Sequence, residues 1–212
     1  MATKKTQEPA EKKITVVLNT KTIRVPIVGA SPLIVNRFDE KSKQQLEESG
    51  KAQTTLKQGG KKKRIADPQE DYEKSIYYCS DGKTTGFPAG AFKAAIVTCA
   101  YRTYGRAQTV TRSAFHVIAD DPDTGLVKIN GEHRMREDMV RVGGIQKVAS
   151  PRYRAEFPSW SAVLTIKYLA DVITEEEIIG LVNTAGFTCG VGEWRPEKSS
   201  SGSFGMFSVA SE

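Results

Sequence analysis

Few residues of this chain have the type and spacing for covalent or metal chemistry. The sequence holds two histidines. His116 falls on a predicted strand between Phe115 and Val117, a place where a structural role is commoner than a catalytic one. His133 falls in a charged stretch with no cysteine or aspartate spaced to make it a ligand. No His/Cys group has zinc spacing, and no Gly-x-x-x-x-Gly-Lys-Ser/Thr string is present to cradle a nucleoside triphosphate. Asp120, Asp121 and Asp123 could hold a divalent ion, but Pro122 and Gly125 among them fit a plain turn better. The expectation is a protein without catalysis, metal or cofactor.

The residues that do suggest chemistry are those that meet phosphates and bases. The stretch Gly190-Val191-Gly192-Glu193-Trp194-Arg195-Pro196-Glu197-Lys198 runs on through three serines to Gly202-Ser203-Phe204-Gly205. Glycine allows backbone angles closed to other residues and lets a second backbone come close. On such a loop Trp194 could stack on a base and Arg195 could pair with a phosphate. Equally, Trp194 could pack back on the fold and Arg195 could meet Glu193 or Glu197. Two other groups are basic. From Lys51 to Arg64 there are six basic residues and no acid, ending in Lys61, Lys62, Lys63 and Arg64. Such a block reads either as a solvated linker or as an arm for nucleic acid. Arg134, Arg136, Arg141, Arg152 and Arg154 form the second group, interleaved with Tyr153, Phe157 and Trp160 and diluted by Glu132, Glu137 and Asp138. Arg102 and Arg106 lie on the tail of a predicted helix. A net charge of +6 and a pI near 9.2 over 212 residues suit an anionic partner.

These groups need elements to position them. Ile14–Leu18 and Thr22–Val28 read as strands with Asn19-Thr20-Lys21 as a turn between them. Asp39 can cap a short polar helix through Glu48. Glu70–Tyr78 reads as a short helix or strand. Pro88 opens a helix over Ala89–Tyr104, whose Phe92, Ala95, Ile96, Cys99 and Ala100 recur at helical spacing, with Gly105 as terminator. Ser113–Ala119 and Leu126–Ile129 read as a hairpin about the Asp120–Gly125 turn. Met135–Arg141 reads as an ion-paired strand, Tyr153–Phe157 as half-buried and Ser161–Leu169 as a central strand. Thr174 and Glu177 form a capping box for a helix whose apolar face is Ile178, Ile179, Leu181, Val182 and Ala185, with Gly186 as the stop. Met206–Val209 closes the chain as a strand. Stripped of insertions at about 39–78 and 131–158, the order is βαββαβ, an α+β, ferredoxin-like or RRM-like palm. Residues 1–12 read as a flexible basic tail and 13–212 as a single domain.

A helix, Gly-x-Gly, a polar insert, then Gly-x-Phe-Gly and a strand resembles the C-terminal glycine-rich loop of the RAMP superfamily. These are ferredoxin-like RNA-binding proteins of CRISPR complexes. The chain also resembles small proteins of bacteriophage genomes. The resemblance implies a palm with long insertions and a non-catalytic protein that binds RNA or single-stranded DNA and oligomerises along it as a helical filament. Some members cut RNA with a loop aspartate, for which Asp39 is the candidate by position. The chain departs from RNA-recognition motifs in lacking a Lys/Arg-Gly-Phe-Gly/Ala-Phe string, so base stacking on the central sheet is not expected. A self-associating protein without nucleic acid, or an endoribonuclease, are the alternatives. No apolar run approaches the roughly 18 residues that span a bilayer, and Met1–Lys13 lacks a signal-peptide pattern. Three cysteines, Cys79, Cys99 and Cys189, are odd in number, which suits a reducing cytoplasm.

Overall fold

The computed structural model describes residues 18–37, 67–142 and 148–210. The core sheet has the order β4-β8-β1-β9, from strands β1 (Thr20–Gly29), β4 (Phe115–Ile118), β8 (Ser161–Leu169) and β9 (Phe207–Val209). Every neighbouring pair in it is antiparallel. Two helices belong to it, α2 (Ala89–Tyr104) after β1 and α4 (Glu175–Thr188) after β8. In chain order this is β1-α2-β4-β8-α4-β9 with the second, third, first and fourth strands side by side. The fold is α+β with a ferredoxin-like palm, as the sequence order implies.

The sheet forms because its strands alternate. Ile23, Val25 and Ile27 of β1 and Ala162, Leu164, Ile166 and Tyr168 of β8 turn toward the helices, while Arg24, Pro26, Thr165 and Lys167 turn away. The predicted face of α2 meets them: Phe92, Ala95, Ile96, Cys99 and Ala100 are all buried. Gly105 ends the helix at φ 64. On α4 the capping box forms, with the Glu177 N–H donating to Thr174 Oγ1 and the Thr174 N–H to Glu177. Phe92, Phe207 and Trp160 stack edge to face at 6.0 and 6.1 Å and close the core under the last strand. Each such side chain contributes roughly 1.5–3 kcal/mol by leaving water.

Several expectations are corrected. Thr20 and Lys21 are not a turn but the start of β1, paired with Leu169 and Tyr168, and Leu18 precedes the strand. Residues 108–114 form a helix, α3 (Gln108–Ala114), so Ser113 and Ala114 are not in β4. β4 pairs with β8 rather than with β5 (Leu126–Lys128), which pairs instead with β3 (Gly86–Pro88). A turn sequence fixes a reversal of the chain and leaves the partner open. Asp121 holds that turn, accepting from the Ser80 and Asp123 N–H groups and the Thr124 hydroxyl. These bonds, led by Ser80 and Thr124, lower its pKa to about 2. Ile179 is 37% exposed and leaves the apolar face of α4. The helix runs through Gly186, where a Cβ would lie 1.9 Å from the Phe207 carbonyl oxygen, so this glycine admits β9 rather than stopping α4.

A second sheet, β2-β7-β6, is built from β2 (Leu33–Val35), β6 (Arg134–Val142) and β7 (Val148–Phe157). Helix α1 (Pro68–Ser75), capped by Asp67, packs on β7, where the Ala155 N–H donates to Ser75 Oγ at 2.8 Å. The three cysteines are free and buried. Among the described residues no helix is long and apolar enough to cross a membrane. None of the His, Cys, Asp and Glu side chains there gather in a group of three or more able to hold a metal ion.

Candidate nucleic-acid interface

The arginine group becomes intelligible through the β6–β7 register. Arg134 faces Glu156, Arg136 faces Arg154 and Asp138 faces Arg152. Directly opposed residues share a face, and so do alternate residues along each strand. One face of the hairpin therefore carries four arginines and two carboxylates. Asp138 and Glu156 are buried, with 5% of each side chain exposed. Arg136 bridges them, its Nε 2.9 Å from Asp138 Oδ1 and its Nη1 2.8 Å from Glu156 Oε1. Arg134 Nε holds the other Glu156 oxygen at 2.8 Å while 67% of its side chain stays exposed. Burial pushes the Glu156 carboxyl up, but the bonds from Arg134 and Arg136 outweigh it and hold the pKa below the ordinary range. Burial likewise disfavours the Arg136 charge, and its bonds to Asp138 and Glu156 more than offset that.

The remaining arginines are less satisfied. Arg154 Nη1 lies 3.9 Å from Asp138 Oδ2, and both atoms are buried without a hydrogen-bond partner among the described residues. Arg152 is exposed, and among the described residues no carboxylate pairs with it. The face thus presents Arg134 and Arg152 to solvent over a buried, partly compensated layer. Arg141 lies further along β6, opposite Ala149.

The glycine loop reaches this face. Gly192 has φ 81, and a Cβ there would sit 2.5 Å from the Ile34 carbonyl oxygen; the Glu193 N–H donates to that same oxygen at 2.9 Å. Gly205, at φ 65, would place a Cβ 1.7 Å from the Val191 oxygen. Gly190, at φ 64, and Gly202 also lie close to loop backbone. The close approach is that of the chain's own backbone: the glycines fold the loop onto β2 and onto itself. The loop then lays Trp194 and Phe204, 6.1 Å apart, beside the hairpin. The Arg136 guanidinium sits 4.8 Å from the Phe204 centroid and 5.7 Å from that of Trp194, within cation–π range. Trp194 takes φ 53, a left-handed conformation that side chains adopt at a cost of about 1–3 kcal/mol.

Three expected contacts are engaged within the chain. Arg195 meets Glu197 at 2.9 Å and the Gly192 carbonyl at 3.0 Å. Arg102 of α2 lies 3.8 Å from the same Glu197, and Arg106, in the link after α2, binds Glu177 of α4 at 2.8 Å. Lys198 is exposed. Lys61, Lys62, Lys63, Arg64 and Asp39 lie outside the described residues. His133 accepts or donates a 2.6 Å bond with the Tyr72 hydroxyl and packs its ring on Phe157 at 5.3 Å, a structural placement. Sequence reasoning missed Phe204 and the roles of Asp138 and Glu156; their alternation with Arg134, Arg136 and Arg154 is the signal that could have found them. Beside the loop a cleft of about 220 Å³ lies between α2 and Gly192, lined by Asn36, Tyr77, Ala94, Glu193 and Arg195. That is below the roughly 300–1,000 Å³ of small-molecule sites.

No family model and no curated protein matches the chain. Among solved structures it is similar to the crystal structure of Cmr6 from Pyrococcus furiosus, with 13% identity, 92% of this chain and 100% of that chain covered, and a TM-score of 0.42.

Proposed function

We propose that this protein binds single-stranded nucleic acid, RNA or DNA, through the arginine face of the β6–β7 hairpin, without catalysing a reaction. One observation carries the reading. Four arginines share a face whose carboxylates, Asp138 and Glu156, are buried beneath them, so the outward charge is positive. Arg134 and Arg152 neutralise phosphates; Arg136 holds the platform and keeps Trp194 and Phe204 in place. Phosphate contacts of this kind position a strand with little sequence readout. With this reading goes assembly along the strand, supported by exposed aromatic residues on the outer helices: Tyr101 is 53%, Tyr104 58% and Phe187 71% exposed. The same observation favours the second reading, self-association without nucleic acid.

The test is copurification. Full-length protein isolated at low salt is expected to carry nucleic acid, seen in its ultraviolet absorbance ratio and removed by nuclease. The Arg134→Gln/Arg152→Gln variant is expected to purify without it. Wild-type protein that carries none, and that fails to retard any unstructured RNA or DNA oligonucleotide, overturns the reading. Sizing chromatography of that same protein separates the two: oligomers without nucleic acid leave self-association.

A further inference from the structure

Among the described residues the half-buried cations are Lys74, Lys93, Arg106, Arg136, Arg154 and Arg195. All but Lys93 lie within 3.9 Å of a carboxylate. Lys93 leaves α2 over the Phe115 ring, 6.0 Å from its centroid, and its Nζ stands 3.1 Å from His116 Nδ1. Burial lowers its pKa, and the nearby Arg112 guanidinium of α3 lowers it further. Among the described residues no carboxylate pairs with it. The sequences of α2, α3, β4, β8 and β1 contain no aspartate or glutamate at all. Beyond the edge strand, the open face of the palm sheet continues the pattern. Lys167 lies directly opposite His116, and Arg24 lies opposite Thr165, the neighbour of Ile118. The Lys93 and Arg112 charges repel one another with no carboxylate paired to either among the described residues, and a bound anion relieves that repulsion.

We propose that Lys93, Arg112 and His116 form an anion site at the β4 edge of the palm that takes a phosphate group, distinct from the β6–β7 face. The ammonium and guanidinium supply charge, and the imidazole and ammonium supply directed N–H donors. Lys167 and Arg24 extend the site across the sheet. Two sources share the chemistry: the phosphodiester of a strand held by this protein, and a free phosphate monoester.

The experiment uses the full chain and two probes. Inorganic phosphate is titrated while the His116 imidazole is followed by NMR, in wild type, Arg112→Gln and Lys93→Gln. A saturable shift in wild type that both variants lose is expected. Arg112 is exposed, so its variant keeps the fold and the test stands even if Lys93→Gln does not. In parallel, oligonucleotide affinity is measured against salt. A slope reduced by about 0.7 per lost contact assigns the phosphate to the strand. An unchanged slope alongside the saturable shift assigns it to a free phosphate. No saturable shift and no change in slope overturns the site. Wild type that binds no oligonucleotide but shows the shift keeps this site and removes the hairpin reading, so the two fail separately.

Discussion

Arg134 and Arg136 are two residues apart, share a face and both bind Glu156, yet they are expected to fail differently when replaced. Arg136 has 26% of its side chain exposed and is the principal partner of two carboxylates that are each 5% exposed. In Arg136→Met, Glu156 keeps Arg134, but Asp138 is left with Arg154 at 3.9 Å. Removing one member of a buried pair costs about 3–5 kcal/mol, and loss of the cation–π contacts adds about 0.5–2 kcal/mol. Discounted for the residual exposure of Arg136 and for the partner Glu156 retains, about 3 kcal/mol remains, or roughly 6–12 °C in Tm for a chain of this size. Arg134, 67% exposed, belongs with surface pairs worth about 0–1 kcal/mol. Urea unfolding of both variants reads the difference. A second cycle sharpens it: Arg136→Met made in a Glu156→Gln/Asp138→Asn background should cost far less, because the stranded charges are gone. Equal losses for Arg134→Gln and Arg136→Met, or an undiminished loss in the neutral background, would refute the network.

Gly205→Ala is expected to unfold the loop, since its Cβ would stand 1.7 Å from the Val191 oxygen at φ 65; circular dichroism melts should show the loss whether or not nucleic acid is present. Unaltered stability would mean that the loop does not cross itself there. Asp121 gives a pH test. Its pKa is held at about 2 by the Ser80 N–H and Thr124 hydroxyl, below its ordinary 3.8, so it stabilises the fold above about pH 4 and loses that contribution as pH falls toward 2. Asp121→Asn should lower Tm at neutral pH and flatten the acid limb between those values; a limb as steep as that of wild type contradicts it.

The palm was legible in the sequence because each part of it is signalled locally. The β8 alternation, the spacing of Phe92 through Ala100 and the Thr174/Glu177 box each specify one element without help from afar. Partner choice is a long-range matter, so the Asp120–Gly125 turn was readable while the pairing of β4 with β8 was not. The arginine face was legible as a list and not as a surface. Arg134 and Glu156 are 22 residues apart, and only the register shows that the acids lie buried beneath the arginines rather than merely diluting them. The glycines were recognisable, but sequence does not say whose backbone approaches. In Gly192 it is that of Ile34.

The measurement that bears most directly on the proposed binding is affinity for an unstructured oligonucleotide as a function of salt, for wild type and Arg134→Gln/Arg152→Gln. Counterion release from phosphates makes log K fall linearly with log salt, by about 0.7 per contact for a single strand. The arginine face predicts a steep line for wild type and one shallower by about 1.4 for the double variant, with Tm nearly unchanged. A flat wild-type line, or a double variant that binds with the same slope, would contradict it.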